Sequence, residues 1–168
     1  AGDLSKTEGM MYKYNGGVIN GNPLPAYLTS LDTLPFPSRD IKRDGRYFVP
    51  ATRTGLMTTM ISSRGCPNRC PFCWTHKGYR SRSAKDIVDE IEECIGVGFK
   101  EIFFVDDIFN ETPQRVIGIS EEILKRRLKV MWGFKARINT TTFEMLKKAK
   151  QAGCYKIHYG VETGTDEG

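Results

Sequence analysis

The residues from about 56 onward specify an α/β domain on a parallel sheet with right-handed crossovers, preceded by a β-hairpin and a proline-rich segment. Three observations point there. Short apolar runs alternate with helical patterns in a strand–helix rhythm. Capping signals mark where each helix opens. Every cluster of chemically active side chains falls at the C-terminal end of an expected strand, where parallel α/β sheets gather their ligands.

The elements follow in order. Residues 9–20 read as a hairpin, because two β-prone runs flank the Asn15-Gly16 turn signal. Residues 22–50 carry five of the eight prolines and little periodicity, so an extended linker that wraps rather than packs is expected. Residues 56–62 form the first strand of the sheet. Ser83-Ala-Lys-Asp86 is a capping box with Asp in place of Glu, and the helix it opens sets Ile87, Ile91, Cys94 and Ile95 on one face before Gly96 and Gly98 end it. The run Ile102-Phe-Phe-Val105 suits a parallel strand buried on both faces. Thr112 and Pro113 supply an N-cap and a first-turn proline for a helix reaching about Arg127. A third strand spans 130–138. Thr141-x-x-Glu144 caps a third helix ending at Gly153, and a fourth strand spans 155–161.

Composition narrows the function classes. The 168 residues with 39% hydrophobic content suit one packed domain. The sequence holds no run of about 18 apolar residues that would span a membrane, and its first residues lack the basic and apolar parts of a secretory signal. Five cysteines, three of them clustered, argue against a disulfide framework and for a reducing cytosol. The net charge of +5 is modest and does not require nucleic acid. Arg64, Arg69, Lys77, Arg80 and Arg82 flank the cysteine loop, where cations offset an anionic metal site, attract an anionic ligand or form an ordinary solvated surface.

The most informative segment is Cys66-Pro-Asn-Arg-Cys70-Pro-Phe-Cys73, a Cys-x3-Cys-x2-Cys loop with no fourth cysteine nearby. Three such thiolates can hold three irons of a 4Fe–4S cube, whereas electron-carrier ferredoxins use four. A position without a protein ligand is the mark of a reactive metal site, as zinc enzymes illustrate. Zinc with His76 as fourth ligand is the rival reading, but the second ligand pair of a zinc module is missing. Pro67, Pro71 and Gly65 restrict and turn the loop. Cys94, on an apolar helix face, and Cys154, opening a buried strand, read as core thiols.

The stretch 61–74 around these cysteines resembles the radical S-adenosylmethionine (radical SAM) superfamily, and within it the branch with an N-terminal cobalamin-binding domain. Residues 31–40 resemble that branch's interdomain linker, and 79–83, 104–109 and 159–164 continue the likeness in order. The resemblance implies a partial (β/α)6 TIM-like barrel, here truncated to about four βα units. Residues 1–50 would then be the hairpin and linker trailing an upstream domain, and 51–168 the N-terminal part of the radical SAM core. It implies a 4Fe–4S cluster on Cys66, Cys70 and Cys73. The same resemblance implies reductive cleavage of S-adenosylmethionine to a 5′-deoxyadenosyl radical, or support of cobalamin-dependent methyl transfer. A methylthiotransferase fits the residues after the cysteines less well, and a zinc-binding structural or nucleic-acid module is the alternative of another class. The expected partners are a small-molecule substrate and an electron donor such as flavodoxin or ferredoxin, in the cytoplasm.

The resemblance also distributes roles. Phe72 would lie near the adenine of S-adenosylmethionine. Asp106 and Asp107 stand where many family members have Gly-Gly-Glu for the methionine ammonium, and the pattern does not choose between them. Arg137 would meet a carboxylate or ribose. Strand alternation puts His158, Gly160 and Glu162 on one face opposite Ile157, Tyr159 and Val161; Glu162 would be a polar contact to the cosubstrate and His158 a contact to substrate or cosubstrate. Trp74 and His76 would shield the cluster or simply pack. An isolated four-strand piece would leave an exposed edge and an incomplete site.

Overall fold

A computed structural model describes residues 4–14, 17–39, 52–75 and 78–165. Strands β1 (Met11–Tyr14) and β2 (Val18–Gly21) pair antiparallel as the expected hairpin; its Asn15-Gly16 turn lies outside the described residues. The central sheet holds β3 (Met57–Met60), β6 (Glu101–Phe104), β7 (Met131–Ala136) and β8 (Cys154–Tyr159), all parallel and in sequence order. Helices α1 (Ala84–Gly96), α2 (Pro113–Lys125) and α3 (Phe143–Gln151) make the crossovers, α1 against α2 and α2 against α3.

The caps explain where the helices begin. Ser83 accepts from the Asp86 amide and Thr112 from the Arg115 amide, each satisfying an orphan donor of the first turn. The third cap differs from expectation by one residue. Thr142, not Thr141, accepts from the Met145 amide. Thr141 instead donates to the Arg137 carbonyl at 2.8 Å, which holds the loop after β7.

Each helix buries one stripe: Ile87, Val88, Ile91 and Cys94 on α1; Val116, Ile119 and Ile123 on α2; Met145 and Ala149 on α3. They meet Ile102, Phe104, Trp132 and Phe134 of the sheet in one core. Phe109 joins it, with its ring centroid 4.5 Å from Phe104 and 4.6 Å from Phe134. Full burial of such side chains stabilises by about 1.5–3 kcal/mol each. The Trp132 indole N–H is satisfied by the Ala152 carbonyl at 2.9 Å. On the opposite face Phe103 and Val105 are only half-buried, so β6 is less enclosed than its apolar run suggests. Gly133 lies at a bulge between β7 and β8, where a Cβ would come within 2.7 Å of the Lys156 carbonyl.

The linker also departs from expectation, because it packs. Leu31 is buried, and Asp32 accepts from the Ser83 amide at 2.9 Å. Arg39 donates to Glu90 of α1 and approaches the Thr59 carbonyl of β3 at 3.4 Å. Arg82 also donates to Glu90 and reaches the Ile61 carbonyl at 3.1 Å, with its guanidinium over Phe36. The two arginines thereby cover backbone acceptors along the open edge of β3, a protection that edge strands need. The part of the linker beyond Arg39, residues 40–50, lies outside the described residues.

Candidate active site

The first strand is shorter than its apolar run. It stops at Met60, and Ser63–Arg64 (β4) turns away to pair antiparallel with Arg80–Ser81 (β5). This small ladder closes the base of the cysteine loop. Gly65 enters the loop at φ 74°, in the left-handed region that glycine adopts without a Cβ penalty.

Asp106 locks that base. Its carboxylate accepts from the Ser62 amide at 2.6 Å, from the Ser62 hydroxyl, and from the Ser63 hydroxyl at 2.9 Å. Burial pushes the Asp106 carboxyl above the usual range, against the lowering effect of these bonds and of nearby Arg115. Arg115 donates to the Ser62 carbonyl at 3.0 Å and to the Arg82 carbonyl at 3.1 Å, tying α2 to both ends of the loop.

All three clustered cysteines line a single cavity of about 770 Å³ at the C-terminal ends of β6, β7 and β8. Of the other residues singled out in the sequence, Phe72, Asp107, Arg137, His158 and Glu162 line it too, and Asp106 does not. The two adjacent aspartates therefore divide: Asp107 is exposed to the cavity, and Asp106 is buried beneath the loop. Phe72 is 70% exposed beside Cys73. Trp74 is almost wholly exposed, and His76 and Lys77 lie outside the described residues. The His158 ring sits 5.0 Å from that of Phe103. Among the flanking cations, Arg64 and Arg69 are exposed, whereas Arg80 lies over Tyr27 and Arg82 is spent on Asp86 and Glu90.

Strand alternation fails for Glu162. β8 ends at Tyr159, and Glu162 lies beyond it at φ 64°, a conformation uncommon outside glycine. Its side chain folds back over Gly160, where a Cβ would come within 2.5 Å of Glu162 Oε1. Val161 and Tyr159, assigned by alternation to the other face, line the same cavity.

Each loop sulfur meets a polar side chain. Asn68 Nδ2 lies 3.3 Å from Cys66 Sγ, Arg137 Nη1 lies 3.1 Å from Cys70 Sγ, and Thr75 Oγ1 lies 3.2 Å from Cys73 Sγ. Asn110, wholly buried and missed in the sequence, accepts from the Arg137 amide and donates to its carbonyl, both at 2.9 Å. Lys135 was also missed; it lines the cavity and stands in register with His158 on β8. No motif marks either residue, since each matters only through a partner brought in by the sheet.

The donor set suits an iron–sulfur group. Three cysteines of one loop, soft ligands when deprotonated, line a cavity within the 300–1,000 Å³ range of small-ligand sites, bordered by side chains of both charges. The Radical SAM superfamily profile matches residues 60–168.

The chain belongs to the radical SAM superfamily.

Within this superfamily it is 33% identical to an uncharacterised methyltransferase of Pyrococcus horikoshii, over 97% of this chain and 36% of that protein. It is 28% identical to the anaerobic magnesium-protoporphyrin IX monomethyl ester cyclase of Rubrivivax gelatinosus, over 95% of this chain and 30% of that one. The chain thus spans about a third of the length of these curated relatives. Its fold superposes on OxsB, a cobalamin-dependent S-adenosylmethionine radical enzyme. The TM-score is 0.74 and the identity 26%, over 98% of this chain and 25% of that one. The radical SAM methyltransferase TsrM of Kitasatospora setae shares the fold over 67% of this chain and 23% of its own, with a TM-score of 0.62 at 22% identity. The family, the α/β architecture and the resemblance to cobalamin-dependent members agree with the sequence reading. Among the described residues no helix is long and apolar enough to cross a membrane.

Proposed function

We propose that the protein is a radical SAM enzyme in which Cys66, Cys70 and Cys73 hold a 4Fe–4S cluster beside a bound S-adenosylmethionine, and that its reaction is a cobalamin-dependent methyl transfer. The observation that carries the cluster assignment is the opening of all three cysteines onto one cavity shared with the ends of β6, β7 and β8. The bound cluster would supply one-electron reduction of the sulfonium, giving methionine and a 5′-deoxyadenosyl radical.

The chain's own residues bind and orient. Asp107 and Glu162 offer carboxylates for the methionine ammonium, and Lys135 offers a cation for its carboxylate. Phe72 presents an apolar ring for the adenine, and His158 faces the substrate side from its place against Phe103. Asp106 works from beneath, holding the loop base rather than touching the ligand. The methyl-transfer part of this reading is supported by the Pyrococcus horikoshii relative, and the cobalamin part by the superposition of residues on both sides of the linker onto OxsB. A small-molecule substrate, a flavodoxin or ferredoxin reductant and a cytoplasmic setting complete the proposal.

The test is anaerobic reconstitution with iron and sulfide, followed by metal analysis and electron paramagnetic resonance. Four irons per chain, and a reduced-cluster signal that changes when S-adenosylmethionine is added, are expected. One zinc without iron, or a cluster signal indifferent to S-adenosylmethionine, would overturn the proposal.

A further inference from the structure

Three sulfurs in one loop have three different neighbours, and the neighbours are not equivalent. Asn68 and Thr75 are neutral and belong to the loop itself. Arg137 is cationic and arrives from the end of β7, 67 residues away from Cys70 in sequence. It reaches Cys70 only because the sheet brings the two together.

Its position is also built. The buried Asn110 amide clamps both the N–H and the carbonyl of residue 137. The same carbonyl accepts from Thr141, and the guanidinium is steadied by Asn139 at 3.2 Å from Nε. Four hydrogen bonds from three residues hold this position. This one is oriented, with one arm of its fork on a cysteine sulfur.

A thiolate that ligates iron carries no proton, so at Cys70 the arginine must be the donor. Hydrogen bonds to ligand sulfur and nearby charge are among the levers that set the potential of an iron–sulfur cluster. Reduction adds negative charge to the cluster. A guanidinium 3.1 Å from one ligand sulfur favours the more negative state, and charge-assisted bonds are roughly twice as strong as neutral ones.

We infer that Arg137 is a positioning residue that raises the reduction potential of the cluster through Cys70, and that Asn110 is the residue that holds Arg137 there. This rests on the cluster assignment to Cys66, Cys70 and Cys73. It gives Arg137 a role on the cluster sulfur in place of contact with a carboxylate or ribose of the cosubstrate.

The experiment is a potentiometric titration of the reconstituted holoprotein, followed by electron paramagnetic resonance, with iron content measured for every variant. Arg137→Met is expected to disfavour reduction about tenfold, a fall of about 59 mV for a one-electron couple. Arg137→Lys, which keeps the charge but not the fork, falls between. Asn110→Ala shifts the potential in the same direction by less, and Thr75→Val, which removes a neutral donor, shifts it less than Arg137→Met. Should Arg137→Met fail to load iron, Arg137→Gln against Arg137→Lys compares a neutral polar side chain with a charged one, and the neutral variant is expected to have the lower potential. Fully loaded variants with the wild-type potential would overturn the inference and leave the cluster assignment intact. A wild-type protein that takes up no cluster would instead overturn the reading on which it rests.

Discussion

The backbone N–H of Ser62 points at Oδ1 of Asp106 across 2.6 Å, and the hydroxyls of Ser62 and Ser63 close on Oδ2. This carboxylate, next to one that faces the cavity, is the anchor of the loop that carries the cysteines. Asp106→Ala would leave the buried Ser62 amide and hydroxyl without their acceptor and Ser63 with only the Ile108 carbonyl at 3.4 Å, and is expected to lower stability by on the order of 3 kcal/mol, read by urea unfolding. Hydrogen exchange at residues 62–64 and 80–82 should speed up, because those amides form the loop base. The pH dependence has a definite sign. Burial raises the folded-state pKa, so the native protein favours the protonated acid, and stability falls as pH rises above 3.8 through the raised value. Asp106→Asn should lack that fall. An identical pH profile for the Asn variant would contradict the assignment.

Glu90 is 1% exposed and neutralises both Arg39 and Arg82. Replacing it with Ala removes the carboxylate that both largely buried guanidiniums share and leaves Arg82 with Asp86, a loss of about 3–5 kcal/mol. Arg39→Ala breaks only the linker side. It is expected to cost less and to expose residues 30–39 to limited proteolysis, while the helix α1 core stays protected. Equal protease resistance in wild type and Arg39→Ala would show that the linker is held by other contacts.

Thiol reactivity should divide the cysteines into two classes. Cys94 and Cys154 are buried, and burial pushes each thiol up to about 11, so little thiolate exists near neutrality. Cys66, Cys70 and Cys73 line an open cavity. Metal-free native protein treated with an alkylating reagent at neutral pH should therefore gain three labels quickly. The remaining two should appear only in denaturant, as read by mass spectrometry of the peptides. Rapid labelling of Cys94 in native protein would contradict the core described above.

Glu101 opens β6 and is tied to β8 by Tyr155, whose phenol donates to it, and to the preceding loop by the Arg53 amide at 2.9 Å and Thr54. Burial alone would raise the Glu101 carboxyl, and the bonds from Tyr155, Arg53 and Thr54 hold it below 4.5 instead. Its contribution is thus present above pH 4.5 and lost as pH falls through the lowered value. Tyr155 is pushed up to about 12 by burial and by the Glu101 carboxylate. Its contribution is intact below pH 10 and lost as pH rises from 10 toward 12. Tyr155→Phe is expected to destabilise by about 1–2 kcal/mol and to remove a phenol that titrates near 12 from an ultraviolet titration.

The elements legible in the sequence were those written in local terms. Ser83 and Thr112 cap helices because an orphan first-turn amide is satisfied by a side chain three residues away, and sequence shows that distance directly. Thr141 and Thr142 compete for one such amide, and the choice fell to Thr142 because the Arg137 carbonyl takes the Thr141 hydroxyl. The linker's attachment was hidden for the same reason: Arg39 and Glu90 are 51 residues apart.

What the amino-acid order determined alone was the repeating strand–helix plan, the cysteine loop and the family to which they belong. These depend on spacings of two to four residues, which the covalent chain enforces wherever it folds. The tertiary structure alone decided the division of labour around that loop. It sent Asp106 beneath the cysteines and Asp107 into the cavity, turned Arg137 onto Cys70, and carried Glu162 past the end of its strand. Strand ends, bulges and cross-sheet contacts set those directions, and a side chain's target there is fixed by the neighbour that the sheet supplies.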